Sequence, residues 1–123
     1  MRLLSTLSPY PILEFFGDLT PDYAILSHRW ESEEVTFQDM QTRTERLYLK
    51  KGWSKIMGCC KTSSKDGYSW VWIDSCCIDK TSSTELSEAI NSMFAWYRNA
   101  KVCYVYLSDV PSNVPNHDAP ESQ

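Results

Sequence analysis

The chain has 123 residues, enough for one domain, and is 42% hydrophobic and 13% aromatic with only four glycines. That much apolar material supports a packed core and excludes a disordered chain. The net charge is −4 and Lys50-Lys51 is the only adjacent pair of lysines or arginines, so no basic stripe for nucleic acid is present.

No apolar run approaches the ~20 residues of a membrane-spanning helix. Pro9 and Pro11 interrupt the N-terminus too early for the apolar core of a secretory signal. The expected compartment is therefore the reducing cytoplasm. The five cysteines stand as Cys59-Cys60, Cys76-Cys77 and Cys103. Their number is odd, adjacent cysteines bridge poorly, and the C-x₂₋₄-C spacing of structural zinc sites is missing. Buried thiols acting as small hydrophobes are expected, with no metal.

Residues 1–22 hold Pro9, Pro11, Gly17 and Pro21 among short apolar pieces, which predicts an irregular leader. Tyr23-Ala24-Ile25-Leu26-Ser27 reads as a short buried strand. Residues 31–50 are mixed and charged, and predict a loop with one helical turn. Trp53, Ile56, Met57 and Cys60 recur at helical spacing and predict a helix over 52–65, stopped at Asp66-Gly67. Tyr68 to Asp74 is aromatic and β-branched, and apolar on both parities from Trp70 to Ile73. It predicts a strand covered on both faces.

Ser82-Ser83-Thr84-Glu85 fits a capping box, with Glu85 as the reciprocal partner. The helix it opens carries Leu86, Ala89, Ile90, Met93, Phe94 and Tyr97 as an apolar stripe, while Glu88 falls on its solvent side. Val102 to Leu107 predicts a third buried strand. Residues 111–123 contain three prolines and no apolar pattern, and predict a flexible tail. Strands separated by helices imply right-handed crossovers and an α/β fold with three parallel strands. If the winding reverses after the first unit, their order is 2-1-3, with flanking helices making three layers.

In such sheets ligands bind beyond the carboxyl ends of the strands. The three exits carry Ser27-His28-Arg29-Trp30, Asp74 to Asp79 with Cys76 and Cys77, and Ser108-Asp109. Together they form a candidate ligand-binding edge offering an imidazole, a guanidinium, carboxylates and an indole. Such a set suits a ligand with phosphates, sugar hydroxyls and a flat base. Each residue also has a plainer role open to it. His28 can bond a neighbouring loop, and Arg29 can pair with Asp74 or Asp79. Trp30, Trp70 and Trp72 can be core, and Asp74 can cap a turn. Cys76 or Cys77 would need a base such as His28 to act as a nucleophile. No P-loop, G-x-G-x-x-G or H-E-x-x-H occurs.

The segments Tyr23 to Trp30, Trp70 to Lys80, Ser83 to Met93 and Tyr104 to Val110 resemble, in order, the heterokaryon incompatibility (HET) domain of filamentous fungi. The "LSHRW" and "WIDSCCIDK" segments carry the likeness. Glu31 stands where a glycine often follows the tryptophan of the first motif. The resemblance divides the chain into a leader (1–22), a partial HET domain (23–110) and a tail (111–123).

HET domains look distantly similar to Toll/interleukin-1 receptor (TIR) domains, so the resemblance implies a flavodoxin-like fold. It also implies a role in non-self recognition ending in programmed cell death, with other HET or signalling proteins, or a second copy, as partners. Neither nucleic acid nor a membrane is implied as a partner, and no cofactor. Some TIR domains cleave NAD with a glutamate on the helix after the third strand, so NAD is implied only as the substrate of an intact domain. The corresponding "W-T-L-Q-E-L" segment of HET domains is not found in this sequence, and Glu85 and Glu88 precede the third strand. No catalytic residue is therefore assigned. The third strand would also be an uncovered edge, an aggregation hazard. The chain is expected to be the N-terminal part of the domain, from a truncated gene model or a partial gene copy.

Overall fold

A computed structural model of the chain describes residues 1–106. Its core is a five-stranded mixed sheet in the order β2-β1-β4-β3-β5. The strands are β1 (Arg2–Ser5), β2 (Ile12–Glu14), β3 (Ala24–His28), β4 (Trp70–Ile73) and β5 (Val102–Tyr106). The sheet therefore differs from the expected three parallel strands. β3 pairs in parallel with β4 on one side and β5 on the other, while β1 joins β4 and β2 antiparallel.

The two extra strands come from residues 1–22, which are not the irregular leader that their prolines suggested. Leu3 and Leu4 of β1 are fully buried between β2 and β4. Pro9 and Pro11 fall in the connection between β1 and β2, where the missing N–H costs no ladder bond. A 3₁₀ turn over Gly17–Leu19 leads on towards β3.

Residues 31–50 also hold more than one helical turn. α1 spans Phe37–Thr42 and α2 spans Glu45–Leu49. Thr36 and Asp39 form a reciprocal capping box at the start of α1. Arg43 ends it in the left-handed region and donates to the carbonyls of Pro9 and Tyr10, tying α1 to the β1–β2 connection.

α3 (Lys51–Lys65) and α4 (Ser83–Asn99) cover opposite faces of the sheet. Alternation along the strands puts Ala24, Leu26, His28, Val71, Ile73, Tyr104 and Tyr106 towards α3. Ile25 and Trp72 face α4, where Trp72 meets the rings of Trp96 and Tyr97 edge-on. The α4 stripe does not lie as expected. Ala89 is buried and Leu86, Met93 and Trp96 pack against the core, whereas Ile90 and Phe94 are 61% and 77% exposed. The helix is rotated because Trp96, absent from the expected stripe, joins Tyr97 on the Trp72 ring.

Ser108, Asp109 and the segment 111–123 lie outside the described residues, as does Leu107 of the third expected strand. Among the described residues no helix is long and apolar enough to cross a membrane.

Candidate functional site

The three parallel strands run in one direction, so their carboxyl ends share an edge. Register pairs Leu26 with Ile73 and His28 with Tyr106, which brings the first two exits and the end of β5 together. Along this edge runs a chain of hydrogen-bonded polar groups. The Trp30 indole N–H donates to Asp74 Oδ2 at 3.0 Å, and His28 Nε2 lies 2.9 Å from Asp74 Oδ1. On the other side of the ring, Lys55 Nζ lies 2.9 Å from His28 Nδ1 and 2.8 Å from Glu34 Oε2. The His28, Lys55 and Glu34 side chains are 1%, 6% and 5% exposed, and Asp74 is 29% exposed. The chain thus starts in the core and surfaces at Asp74.

Local folding explains each position. His28 is the last residue of β3, on the α3 face, directly beneath Lys55. Gly52 lets the start of α3 press against residues 33–35. A Cβ there would lie 2.8 Å from the Glu33 carbonyl oxygen and 3.0 Å from the Val35 nitrogen. Gly52 N–H donates to that Glu33 carbonyl at 3.0 Å, which brings Glu34 within reach of Lys55 one helical turn later. Glu34 also accepts the backbone N–H of Glu31 at 2.8 Å, closing the loop that follows Trp30.

Burial pushes the Asp74 carboxyl up, but the donors His28 and Trp30 and the nearby Lys80 charge outweigh it and hold Asp74 below the ordinary carboxylate range. The Lys80 ammonium lies 4.1 Å from the centroid of the Trp30 ring, and it also donates to the Asp74 carbonyl. Its own affinity for the proton is lowered by burial, against the attraction of Asp74. Arg29 is exposed, and pairs with neither Asp74 nor Asp79 among the described residues. Ser27 sits on the opposite parity from His28, on the α4 face of the sheet.

The rest of the expected edge divides. Asp79 accepts from the Thr81 backbone at 3.1 Å and hydroxyl at 2.5 Å, and from Gln38 of α1 at 2.8 Å. It locks a turn and fastens α1 to it. Cys76 and Cys77 do not belong to the edge. The turn after β4 folds back, with both backbone N–H groups bonded to the Ile73 carbonyl, so the side chains enter the core. Hydrogen bonding to Cys77 and burial push the Cys76 thiol well up, and neither cysteine touches His28. All five cysteines are free, and among the described residues no three His, Cys, Asp or Glu side chains converge on a metal position.

Glu85 also departs from expectation. Its backbone N–H donates to Ser82 Oγ at 3.2 Å, but its carboxylate accepts from the Asp79 N–H at 3.0 Å and from Arg2 rather than returning to Ser82. Arg2 of β1 offers a stronger, charged donor than a cap amide.

Among the described residues, a concavity of about 200 Å³ lies beside Lys55, bounded by Leu26, Gly58, Cys59, Tyr104 and Tyr106, and one of about 160 Å³ lies against Arg2, Cys77 and Glu85. A larger one of about 470 Å³ lies at the opposite end of β3, against Pro21, Tyr23, Ser92 and Trp96, and contains none of the candidate residues.

Lys55, Glu34, Lys80 and Gly52 are the site residues that sequence reasoning missed. The signal for Lys55 was present. Gly52, Lys55, Cys59, Cys60 and Ser63 lie on one helical face of mostly small residues, and that face is the buried one, with Ile56. Trp53 and Met57, assigned to the core stripe, are only half-buried.

Comparison with known proteins bears on the same segments. The chain is 49% identical over 104 residues to the vegetative incompatibility protein HET-E-1 of Podospora anserina, a match covering 83% of this chain and 8% of that relative. The chain thus spans a small part of the relative's length. No solved structure matches the chain. The family model of the heterokaryon incompatibility protein (HET) matches residues 23–121, a span that takes in β3, β4, β5 and every member of the polar chain from Trp30 to Glu34. The chain therefore belongs to the heterokaryon incompatibility (HET) family.

Proposed function

We propose that this chain is a HET-domain signalling module of fungal non-self recognition, and that its output is programmed cell death. The observation that carries the reading is the 49% identity over 104 residues to a vegetative incompatibility protein. The module works in the cytoplasm through other HET or signalling proteins and through self-association, without nucleic acid or membrane. The strand-exit edge at His28, Trp30, Asp74 and Lys80 is its ligand site. This follows the general placement of ligands beyond the carboxyl ends of parallel strands. Inducible expression in a filamentous fungus tests the reading. Growth arrest and loss of viability on induction are expected, and unimpaired growth with the protein present at a normal level overturns it.

A second reading takes the domain as a TIR-like, flavodoxin-like fold that cleaves NAD. The polar chain ending at Asp74 favours it, because an ionised acceptor at a strand exit suits the sugar hydroxyls of a nucleotide. NAD turnover by the purified chain above a buffer control supports this second reading. Absence of turnover overturns it and leaves the alternative of an inactive remnant of such an enzyme.

A further inference from the structure

With Lys55 as an ammonium and Asp74 as a carboxylate, the ring of His28 can carry its proton in one way only. An ammonium has three N–H donors and no lone pair. Lys55 faces Glu34 Oε2 at 2.8 Å, His28 Nδ1 at 2.9 Å and the Arg29 carbonyl at 3.4 Å. His28 Nδ1 must therefore offer its lone pair, and the ring proton sits on Nε2, where it meets Asp74 Oδ1 at 2.9 Å. Trp30 supplies a second rigid ring N–H to the other oxygen. Each Asp74 oxygen is thus held by one planar donor while the outer face of the carboxylate remains open to solvent.

We infer that Lys55 is the positioning residue of this edge. From the α3 side it sets His28 in the Nε2–H form, and His28 with Trp30 then presents Asp74 as an acceptor to whatever binds there. The inference rests on the strand-exit edge being the site, but its geometry holds whether or not the chain signals cell death. With the opposite tautomer, a lone pair at Nε2 would face the Asp74 carboxylate and a ring proton would face the ammonium. Both contacts are repulsive, so the Lys55 charge reaches Asp74 through the ring. Glu34 neutralises Lys55 and makes its burial tolerable.

The test is long-range ¹H–¹⁵N correlation of the imidazole at neutral pH. His117→Gln leaves His28 as the one histidine of the chain. A single form protonated at Nε2 is expected, together with a slowly exchanging Trp30 indole proton. The double variant Glu34→Gln/Lys55→Met removes both buried charges together. It should keep its far-ultraviolet circular dichroism, lose the single tautomer for a mixture in which Asp74 alone still favours Nε2–H, and shift the Trp30 indole resonance. Lys55→Gln serves if the double variant does not fold, because its amide can donate or accept and should also admit both tautomers. A proton on Nδ1 in the otherwise native chain overturns the inference, as does an unchanged single tautomer in either folded variant. A single Nε2–H form in a chain that arrests no fungal growth sinks the proposed function and leaves the positioning role standing.

Discussion

Lys55 Nζ lies 2.8 Å from Glu34 Oε2, and only about one-twentieth of each side chain reaches solvent. A buried pair of this kind gains little over an apolar pair, but removing one partner leaves a bare charge in the core. Lys55→Met alone should therefore cost about 3–5 kcal/mol of stability. Glu34→Gln/Lys55→Met should cost clearly less than Lys55→Met by itself. Urea denaturation followed by circular dichroism measures both, and equal losses would show that the charges are not coupled.

Gly52 and Gly58 lie on the same helix but should respond in opposite senses to alanine. A Cβ at Gly52 meets backbone atoms of residues 33–35 that have no side-chain freedom to yield, and at Gly58 it meets nothing within 4 Å. Gly52→Ala should lose about 1–3 kcal/mol by overpacking. Gly58→Ala should gain about 0.5–1 kcal/mol from helix propensity. Thermal melts of the two variants check the contrast.

Acid should unfold the protein through two aspartates. Burial raises Asp39, but the Lys50 ammonium at 2.6 Å, followed by the Thr36 cap, outweighs it and leaves Asp39 below its ordinary value. Asp74 is likewise held low by His28 and Trp30 in spite of its burial. A carboxyl whose folded value is depressed adds stability above its unfolded value, about 3.9 for Asp, and loses it as pH falls through the lower folded value. Stability should therefore be level with respect to these groups from neutral pH to about 5, and should decline below about 4. Asp39→Asn and Asp74→Asn should each flatten that acid limb in urea titrations. An unchanged limb would mean that neither carboxylate is stabilised by folding.

Thiol reactivity should report the burial of the cysteines. Burial pushes the Cys59 thiol up to about 12 and raises Cys60 further, and Cys76 is raised as well. Cys103 is half-buried and raised by burial to a smaller extent. Iodoacetamide at pH 8 should modify Cys103 first and leave Cys59, Cys60, Cys76 and Cys77 protected. All five should react in denaturant. Peptide mapping by mass spectrometry distinguishes the sites, and early labelling of Cys76 or Cys77 would contradict their place in the core.

Much of the fold was legible because its signals are local. Trp70 to Ile73 is apolar on both parities, and that alone announced a strand with helices on both faces. Ser82 announced the start of α4, and its hydroxyl does accept the Glu85 N–H. The β1–β2 hairpin was hidden because its prolines look like breakers. Whether a proline breaks a strand depends on whether it falls in the ladder or in the connection, and only pairing decides that. The face of α4 was misjudged for a similar reason. Both Trp96 and Phe94 fit a helical stripe, and the position of Trp72 beneath the helix chose between them.

The candidate site divides along the same line. Strand ends are local features, so His28, Trp30 and Asp74 could be named from the chain, as could their common edge once the strands were taken as parallel. The HET resemblance was equally a property of contiguous segments, and the family match bears it out. Lys55 lies 27 residues from His28, and Glu34 lies 21 from Lys55. No periodicity or spacing joins them. Their pairing exists because Gly52 lets a helix and a loop touch and because a charge sealed from water must find its counter-charge there. Cys76 and Cys77 are the converse case, adjacent in sequence to the site and turned into the core by one reversal of the backbone. Composition, strand ends and family segments belong to the chain alone. The identity of each buried partner belongs to the packed structure, because burial is what makes an unpaired polar group costly.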